Sequence, residues 1–304
     1  MRWRPLAALL GIALLAGGAR AEVPLRWDST GHVVVPAVVN GKGPFDFILD
    51  TGADESAVYA WFAKLLDLPK GRSGVLSGAT GSQAMISTRV STLAVDGHAI
   101  RNIDADTVPD RVDGVKLAGV AGVDLMLGQL VVIDFGCNTV AVLPIRGAPT
   151  DIAGAGATLV KAGSIRDGKQ LTLPVTVNGA PGIAVLDTGA RATAINLRFA
   201  LAAGADPLSS GFREGEPTRG ATMTPVASRI GTIGTVRFAG ITRTDAVARV
   251  VDLPYLDGAG LAKVPAMNMG LDLLRGTRLT IDYSSRRLWL AQSRCALSPA
   301  KPAL

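Results

Sequence analysis

The tripeptide Asp-Thr-Gly occurs twice in this 304-residue chain, as Asp50-Thr51-Gly52-Ala53 and as Asp187-Thr188-Gly189-Ala190. Chance alone would place a given tripeptide in about one chain in 25 of this length, so two copies with matched flanks mark a duplication. The first flank runs from His32 through Val33-Val34-Val35-Pro36 to Asn40-Gly41, then from Phe45 to Leu49 into Asp50. The second runs from Gln170 through Leu171-Thr172-Leu173-Pro174 to Asn178-Gly179, then from Ile183 to Leu186 into Asp187. Asn-Gly between two β-rich runs signals a hairpin, because both residues tolerate the positive φ of a tight turn.

The copies also end alike. Gly122-Val123-Asp124-Leu125 leads to Val132-Ile133-Asp134-Phe135, and Gly270-Leu271-Asp272-Leu273 leads to Thr280-Ile281-Asp282-Tyr283. Asp124 and Asp272 lie 148 apart, as do Asp134 and Asp282, whereas Asp50 and Asp187 lie 137 apart. The second copy therefore holds eleven extra residues between its motif and its tail. This repeat predicts two copies of one β lobe related by a pseudo-twofold axis.

Periodicity favours strands through most of the chain, and helical signals are few. One covers Ala57 to Leu66, with Val58, Trp61, Phe62, Leu65 and Leu66 on one side; the other covers Asn196 to Ala203. The expectation is an all-β protein with one short helix per lobe. A stretch rich in Gly, Ala and Pro, from about Pro144 to Ala157, separates the copies, which places the lobes at 22–150 and 151–304.

Residues 1–21 read as a secretory signal: Arg2 and Arg4 supply the positive start, Leu6 to Gly17 an apolar run, and Ala19-Arg20-Ala21 a small-residue cleavage site. That run of 12 is too short to span a bilayer as a lasting helix, so export to a periplasm or beyond is expected, with no stable membrane span. Without Arg2, Arg4 and Arg20, the 31 basic residues fall to 28 against 25 acids. With that near-balance and few aromatics, no phosphate-tracking stripe emerges, and nucleic acid is excluded as a partner. Two cysteines, Cys137 and Cys295, each follow the last strand of a copy. In an oxidising compartment they suggest a bridge between lobes, the alternative being two buried thiols.

With these motifs laid out, nearly the whole mature chain resembles the retropepsin-like aspartic proteases, in the bacterial exported form with two fused repeats. The resemblance rests on the hydrophobic-hydrophobic-Asp-Thr-Gly-Ala signature of both copies. It rests equally on the downstream element Val120-Ala121-Gly122-Val123-Asp124, matched by Asn268-Met269-Gly270-Leu271-Asp272. Asn268 departs from the apolar residue expected there. The resemblance implies an acid-protease fold in which the downstream element crosses the active-site loop in a ψ shape. It implies Asp50 and Asp187 as a catalytic pair hydrolysing peptide bonds through a shared water, with no cofactor and no metal. Thr51 and Thr188 would cross-link the loops, and Gly52 and Gly189 would let the backbone turn. Ala53 and Ala190 would leave the outer carboxylate oxygens without a hydroxyl donor, favouring activity at mildly acidic to near-neutral pH.

Between motif and tail, Gly78-Ala79-Thr80-Gly81 suggests a flap over a bound peptide, and Arg219-Gly220-Ala221-Thr222 a weaker second one. Asp54 and Arg191, equivalent positions of opposite charge, either pair across the lobes, contact substrate or stand as unrelated surface charges. His32 and His98 read as surface or strand-edge residues, and Asp134 and Asp282 as turn-formers. The expected partner is a peptide or protein substrate, bound by a monomer. The alternatives are a peptide-binding or envelope-assembly protein without turnover, and a site completed only by dimerisation.

Overall fold

Both Asn-Gly pairs turn as their chemistry dictates. In the computed structural model, which describes residues 22–147 and 150–295, Asn40, Gly41, Asn178 and Gly179 all have φ between 49° and 85°. Each pair closes a two-residue hairpin loop, joining Val33–Val39 to Lys42–Leu49 and Gln170–Val177 to Ala180–Leu186. The leader expected at residues 1–21 lies outside the described residues.

Among the described residues, the strands form three sheets. One eight-stranded sheet belongs to each lobe, and their strand orders are identical when the repeats are superposed. In the first lobe, Gly119–Ala121 lies between Lys42–Leu49, to which it runs parallel, and Ala57–Tyr59, to which it runs antiparallel. In the second, Ala266–Met269 lies likewise between Ala180–Leu186 and Ala194–Ile195. This is the ψ crossing the motif implies. It needs a glycine, since a Cβ on Gly122 would stand 2.6 Å from the Glu55 carbonyl carbon, and one on Gly270 2.7 Å from that of Ala192.

The third sheet has six strands and joins the lobes. At its centre Gln129–Asp134 pairs antiparallel with Thr277–Asp282. Val132 faces Thr280, its own repeat equivalent 148 residues on, so the pseudo-twofold axis passes between these two residues. Val23–Pro24 and Thr139–Pro144 extend the sheet on one side, Arg287–Gln292 and Thr158–Lys161 on the other. Because the first residues after 21 are sheet strands, they belong to the folded body. Buried Val131, Ile133, Leu279 and Ile281 join the main core, which runs continuously through both lobes.

The helices differ from the sequence expectation. Ala57, Val58 and Tyr59 form a strand, and the helix covers only Ala60–Leu65. All three are buried and paired with Asp106, Thr107 and Val108, so sheet pairing overrides the helical period. The proposed stripe is correspondingly broken: Phe62 is buried, but Leu65 is 61% exposed. The second helix is Leu197–Ala202, begun by Asn196, whose side chain accepts a hydrogen bond from the Phe199 amide. Further short helices occur at Thr150–Ala153, Pro254–Gly258 and Leu271–Leu274, so one helix per lobe is an undercount. Among the described residues, no helix is long and apolar enough to cross a membrane.

Cys137 and Cys295 are bonded, with Cα atoms 4.9 Å apart and 158 residues between them in sequence. The bond ties the end of one copy to the end of the other. By the chain-entropy model a loop this long gains up to about 5 kcal/mol on closure. Replacing both cysteines by serine is expected to lower Tm by on the order of 10 °C, measured by calorimetry; an unchanged Tm would show that the linkage is thermodynamically idle.

Candidate active site

Each Asp-Thr-Gly loop leaves its sheet at the ψ crossing. The Asp50 amide donates to the Ala121 carbonyl at 3.0 Å, and the Asp187 amide donates to that of Met269, also at 3.0 Å. These bonds aim both loops at the axis. There the two threonines interlock. Thr51 Oγ1 donates to the Leu186 carbonyl at 2.9 Å and accepts from the Thr188 amide at 3.0 Å. Thr188 Oγ1 donates to the Leu49 carbonyl at 2.7 Å and accepts from the Thr51 amide at 3.0 Å. Both hydroxyls are buried, so four inter-lobe hydrogen bonds sit where losing a partner costs most.

The glycines answer a steric demand. A Cβ on Gly52 would lie 2.6 Å from Asp187 Cγ, and one on Gly189 would collide with the Asp50 carboxyl. Each carboxyl packs directly over the opposite motif's glycine, so the two acids face each other across the axis. Gly52 donates to Asp50 Oδ1 at 2.7 Å; Gly189 and Ala190 donate to Asp187 Oδ1 at 2.9 Å each. Burial and the facing Asp187 charge hold the Asp50 carboxyl well above the usual carboxylate range.

The aspartates of the downstream element support the loops. Ser56 Oγ donates to Asp124 and accepts from the Gly122 amide; Thr193 Oγ1 donates to Asp272 and accepts from the Gly270 amide. Ser56 and Thr193 are 137 apart, the motif spacing, so the repeat itself contained the signal for this missed pair. Asp134 accepts from the Gly136 and Cys137 amides and from Arg278, and Asp282 accepts from Ser285, which are turn-forming roles.

The lobes meet again above the acids. Lys70–Gly78 and Gly81–Val95 form a hairpin whose tip, Ala79–Thr80, touches the Gly220–Thr222 turn of the second lobe. The Gly220 amide donates to Thr80 Oγ1 at 3.0 Å, and the Thr80 and Thr222 hydroxyls lie 3.4 Å apart. The tips approach closely: a Cβ on Gly78 or Gly220 would come within 3.2 Å of the other tip's backbone, so a larger residue at either would require the tips to shift by a few tenths of an ångström. Beneath them is a cavity of about 930 Å³ lined by Asp50, Asp187, both tips and several charged side chains.

Asp54 and Arg191 do not pair with each other. Arg166, of the second lobe, donates to Asp54 at 2.8 Å, while Arg191 donates to the Thr30 carbonyl of the first at 3.0 Å. Each charge thus crosses the lobe boundary to a different partner. Gln170, also missed, donates from Nε2 to the Gly52 carbonyl at 2.6 Å. His32 stands at a strand edge, directly before Val33–Val39, and it also lines the cavity beside Thr30 and Arg111, where burial pushes its imidazole below the ordinary range. His98 starts a strand, away from the cavity lining.

One expectation fails on one side. Asn268 Nδ2 donates to Asp187 Oδ2 at 2.6 Å, so this oxygen has a donor despite Ala190. Asn268 Oδ1 in turn accepts from the Tyr255 hydroxyl at 2.5 Å. The sequence marks Asn268 as an anomaly but offers no means of finding Tyr255, which has no counterpart in the first copy.

A pair of facing acids on interlocked loops beneath two meeting tips defines a bilobal acid-protease architecture, both lobes coming from one chain. The chain belongs to the aspartyl protease family, in its retropepsin-like form: the family model matches residues 35–130 and again 173–273. No curated protein matches the chain.

Two outcomes test this geometry. Thr51→Val removes two buried inter-lobe bonds and is expected to cost about 2–3 kcal/mol in denaturant unfolding; a loss within about 0.5 kcal/mol would contradict the interlock. An acid raised in the folded state lowers stability as pH climbs past its unfolded value, near about 4. Asp50→Asn is therefore expected to raise Tm at pH 7, with the gain disappearing below about pH 4. A Tm difference equal at pH 3 and pH 7 would contradict the raised carboxyl.

Proposed function

We propose that the protein is an aspartic endopeptidase acting on peptides or proteins, complete within one chain. The observation that carries this reading is that the Asp50 and Asp187 carboxyls, each packed over the opposite motif's glycine, face each other inside the large cavity. One carboxylate acts as general base on a water held between the pair, while the protonated partner polarises the scissile carbonyl. No covalent intermediate forms. Burial and the facing Asp187 charge raise the Asp50 carboxyl, which suits it to hold the proton such a pair must share.

The meeting tips supply backbone amides and carbonyls above the cleft, suited to an extended peptide, which carries its own main-chain donors and acceptors. Opening of the tips admits the chain. The Cys137–Cys295 bond and the leader-like residues 1–21 support export to an oxidising compartment such as a bacterial periplasm. Since both acids come from one chain, a monomer suffices.

The test is cleavage of a diverse peptide library by the exported form, compared with Asp50→Asn and Asp187→Asn. Each substitution is expected to reduce kcat/KM at least about a thousandfold, and the wild-type profile to peak between about pH 4 and 7. Binding of library peptides without cleavage would instead support the peptide-binding reading. Activity that rises with the square of protein concentration, alongside a dimer by light scattering, would reject the monomer.

A further inference from the structure

The two lobes match strand for strand, yet the environments of their acids differ at one side chain. In the first lobe Ile48 pairs with Val120; in the second Val185 pairs with Asn268, at the same register. Val120 offers Asp50 no polar group. Asn268 places an amide on Asp187 Oδ2, so Asp187 accepts from three N–H groups: Gly189, Ala190 and Asn268. Asp50 accepts only backbone donors, from Gly52 and Ala53, besides its contact with Asp187.

Tyr255 fixes which face of the amide points at the acid. Its hydroxyl donates to Asn268 Oδ1, which turns the Nδ2 group, a donor and never an acceptor, toward Asp187. Tyr255 is carried by the helix Pro254–Gly258, and its amide meets the Ala79 carbonyl of the opposite tip at 3.4 Å. This helix accounts for part of the length difference between the copies. Ala57 and Ala194 are 137 apart, Asp106 and Arg249 143 apart, and Gly119 and Met267 148 apart. Six of the eleven extra residues thus fall in the tip region, and five in the segment bearing Tyr255. The second lobe has acquired a device that the first lacks.

Resting on the peptidase reading above, we propose that Asn268, oriented by Tyr255, is a positioning residue that breaks the symmetry of the pair: Asp187 is the carboxylate that activates water, and Asp50 holds the shared proton. The protons then balance as follows. Asp187 takes a proton from water as the hydroxyl adds to the carbonyl carbon, and Asp50 gives its proton to the carbonyl oxygen. In collapse of the diol, Asp187 protonates the leaving nitrogen, the C–N bond breaks, and one diol hydroxyl returns a proton to Asp50. The enzyme ends as it began. An N–H donor stabilises the charged form of the carboxyl it contacts and cannot satisfy the O–H of a protonated one, which gives the direction of the assignment.

Other ionisable groups around the acids do not supply this asymmetry. Tyr255 feels the Asp187 charge and is opposed by Arg166, itself paired with Asp54; Tyr59 and Tyr283 lie near Asp50. Burial pushes the three phenols upward, so they stay neutral across the working range.

The test combines pH–rate profiles with carboxyl ¹³C NMR of the Asp-labelled protein, its signals assigned through Asp50→Asn and Asp187→Asn. Asn268→Val, which copies the first lobe, is expected to move the acidic limb of kcat/KM up by about one pH unit and to lower kcat about tenfold, with KM within about twofold. Tyr255→Phe keeps the amide but frees it to rotate, and is expected to give a smaller shift in the same direction. The double variant Asn268→Val with Val120→Asn, which moves the donor to the other acid, is expected to bring the acidic limb back toward wild type. In the wild-type spectrum near pH 5 the protonated carboxyl is expected to be that of Asp50. Assignment of that proton to Asp187 overturns the proposal, as do Asn268→Val and Tyr255→Phe variants that lower Tm yet leave the limb in place. Should Asn268→Val fail to fold, Tyr255→Phe and the wild-type spectrum decide. Because the spectrum needs no turnover, a protein that cleaves nothing would end the peptidase reading while leaving this assignment separately readable.

Discussion

Two half-buried carboxyl groups facing each other repel whenever both are charged, and the rest of the molecule is organised to keep them together. Four hydrogen bonds between Thr51, Thr188 and the carbonyls of Leu49 and Leu186 prevent the loops from relaxing apart. Those bonds act only if the lobes hold a fixed relation. The six-stranded sheet supplies it, since the central strands belong to different copies and Val132 faces its own equivalent. The Cys137–Cys295 bond closes the same sheet at its end. Remove any layer and the like charges at the axis have an escape.

Symmetry explains how the acids meet, while departures from symmetry explain how they can differ. Backbone support is duplicated down to single bonds: Val123 donates to the Ala53 carbonyl as Leu271 donates to that of Ala190. The side chains facing the cavity are not duplicated. Asn268 stands opposite Val120, and Asp54 and Arg191 find unlike partners on the opposite lobe. A duplicated fold that hydrolyses an asymmetric bond benefits from unequal acids, because one must be base while the other is acid. The difference between the two acid environments lies in a few cavity residues, set on a strand order and motif-loop backbone bonding that the halves share.

Hydrophobic pattern, Asn-Gly turns and the repeated motif were enough to read two β lobes and the tip hairpin, while the acid pair and the threonine interlock followed from the family resemblance that the motif carries. These features are local or repeated, so they leave a periodic trace. The helix start at Ala60 was not legible, because Ala57 to Tyr59 carry a helical period and become a strand through pairing with distant Asp106 to Val108. Gln170 and Arg166 were invisible for a related reason: each reaches the first motif loop from far along the chain, and no spacing rule links them; Tyr255 lies only 13 residues from Asn268, in a segment lengthened relative to the first copy, so the repeat gives no guide to it.

By itself the sequence determined that the chain is a duplication, that each half delivers one acid on a glycine-containing loop, and that the two halves end in the same Gly-x-Asp element. Backbone conformation and close approach are demands on single residues, and they appear wherever such residues recur. Only the tertiary structure decided that the acids face each other, that the tips meet above them, and that Asn268 donates to one acid and has no equivalent at the other. Those outcomes depend on where side chains from separate strands point in three dimensions, and hydrogen bonds form by distance and angle, whatever the separation along the chain.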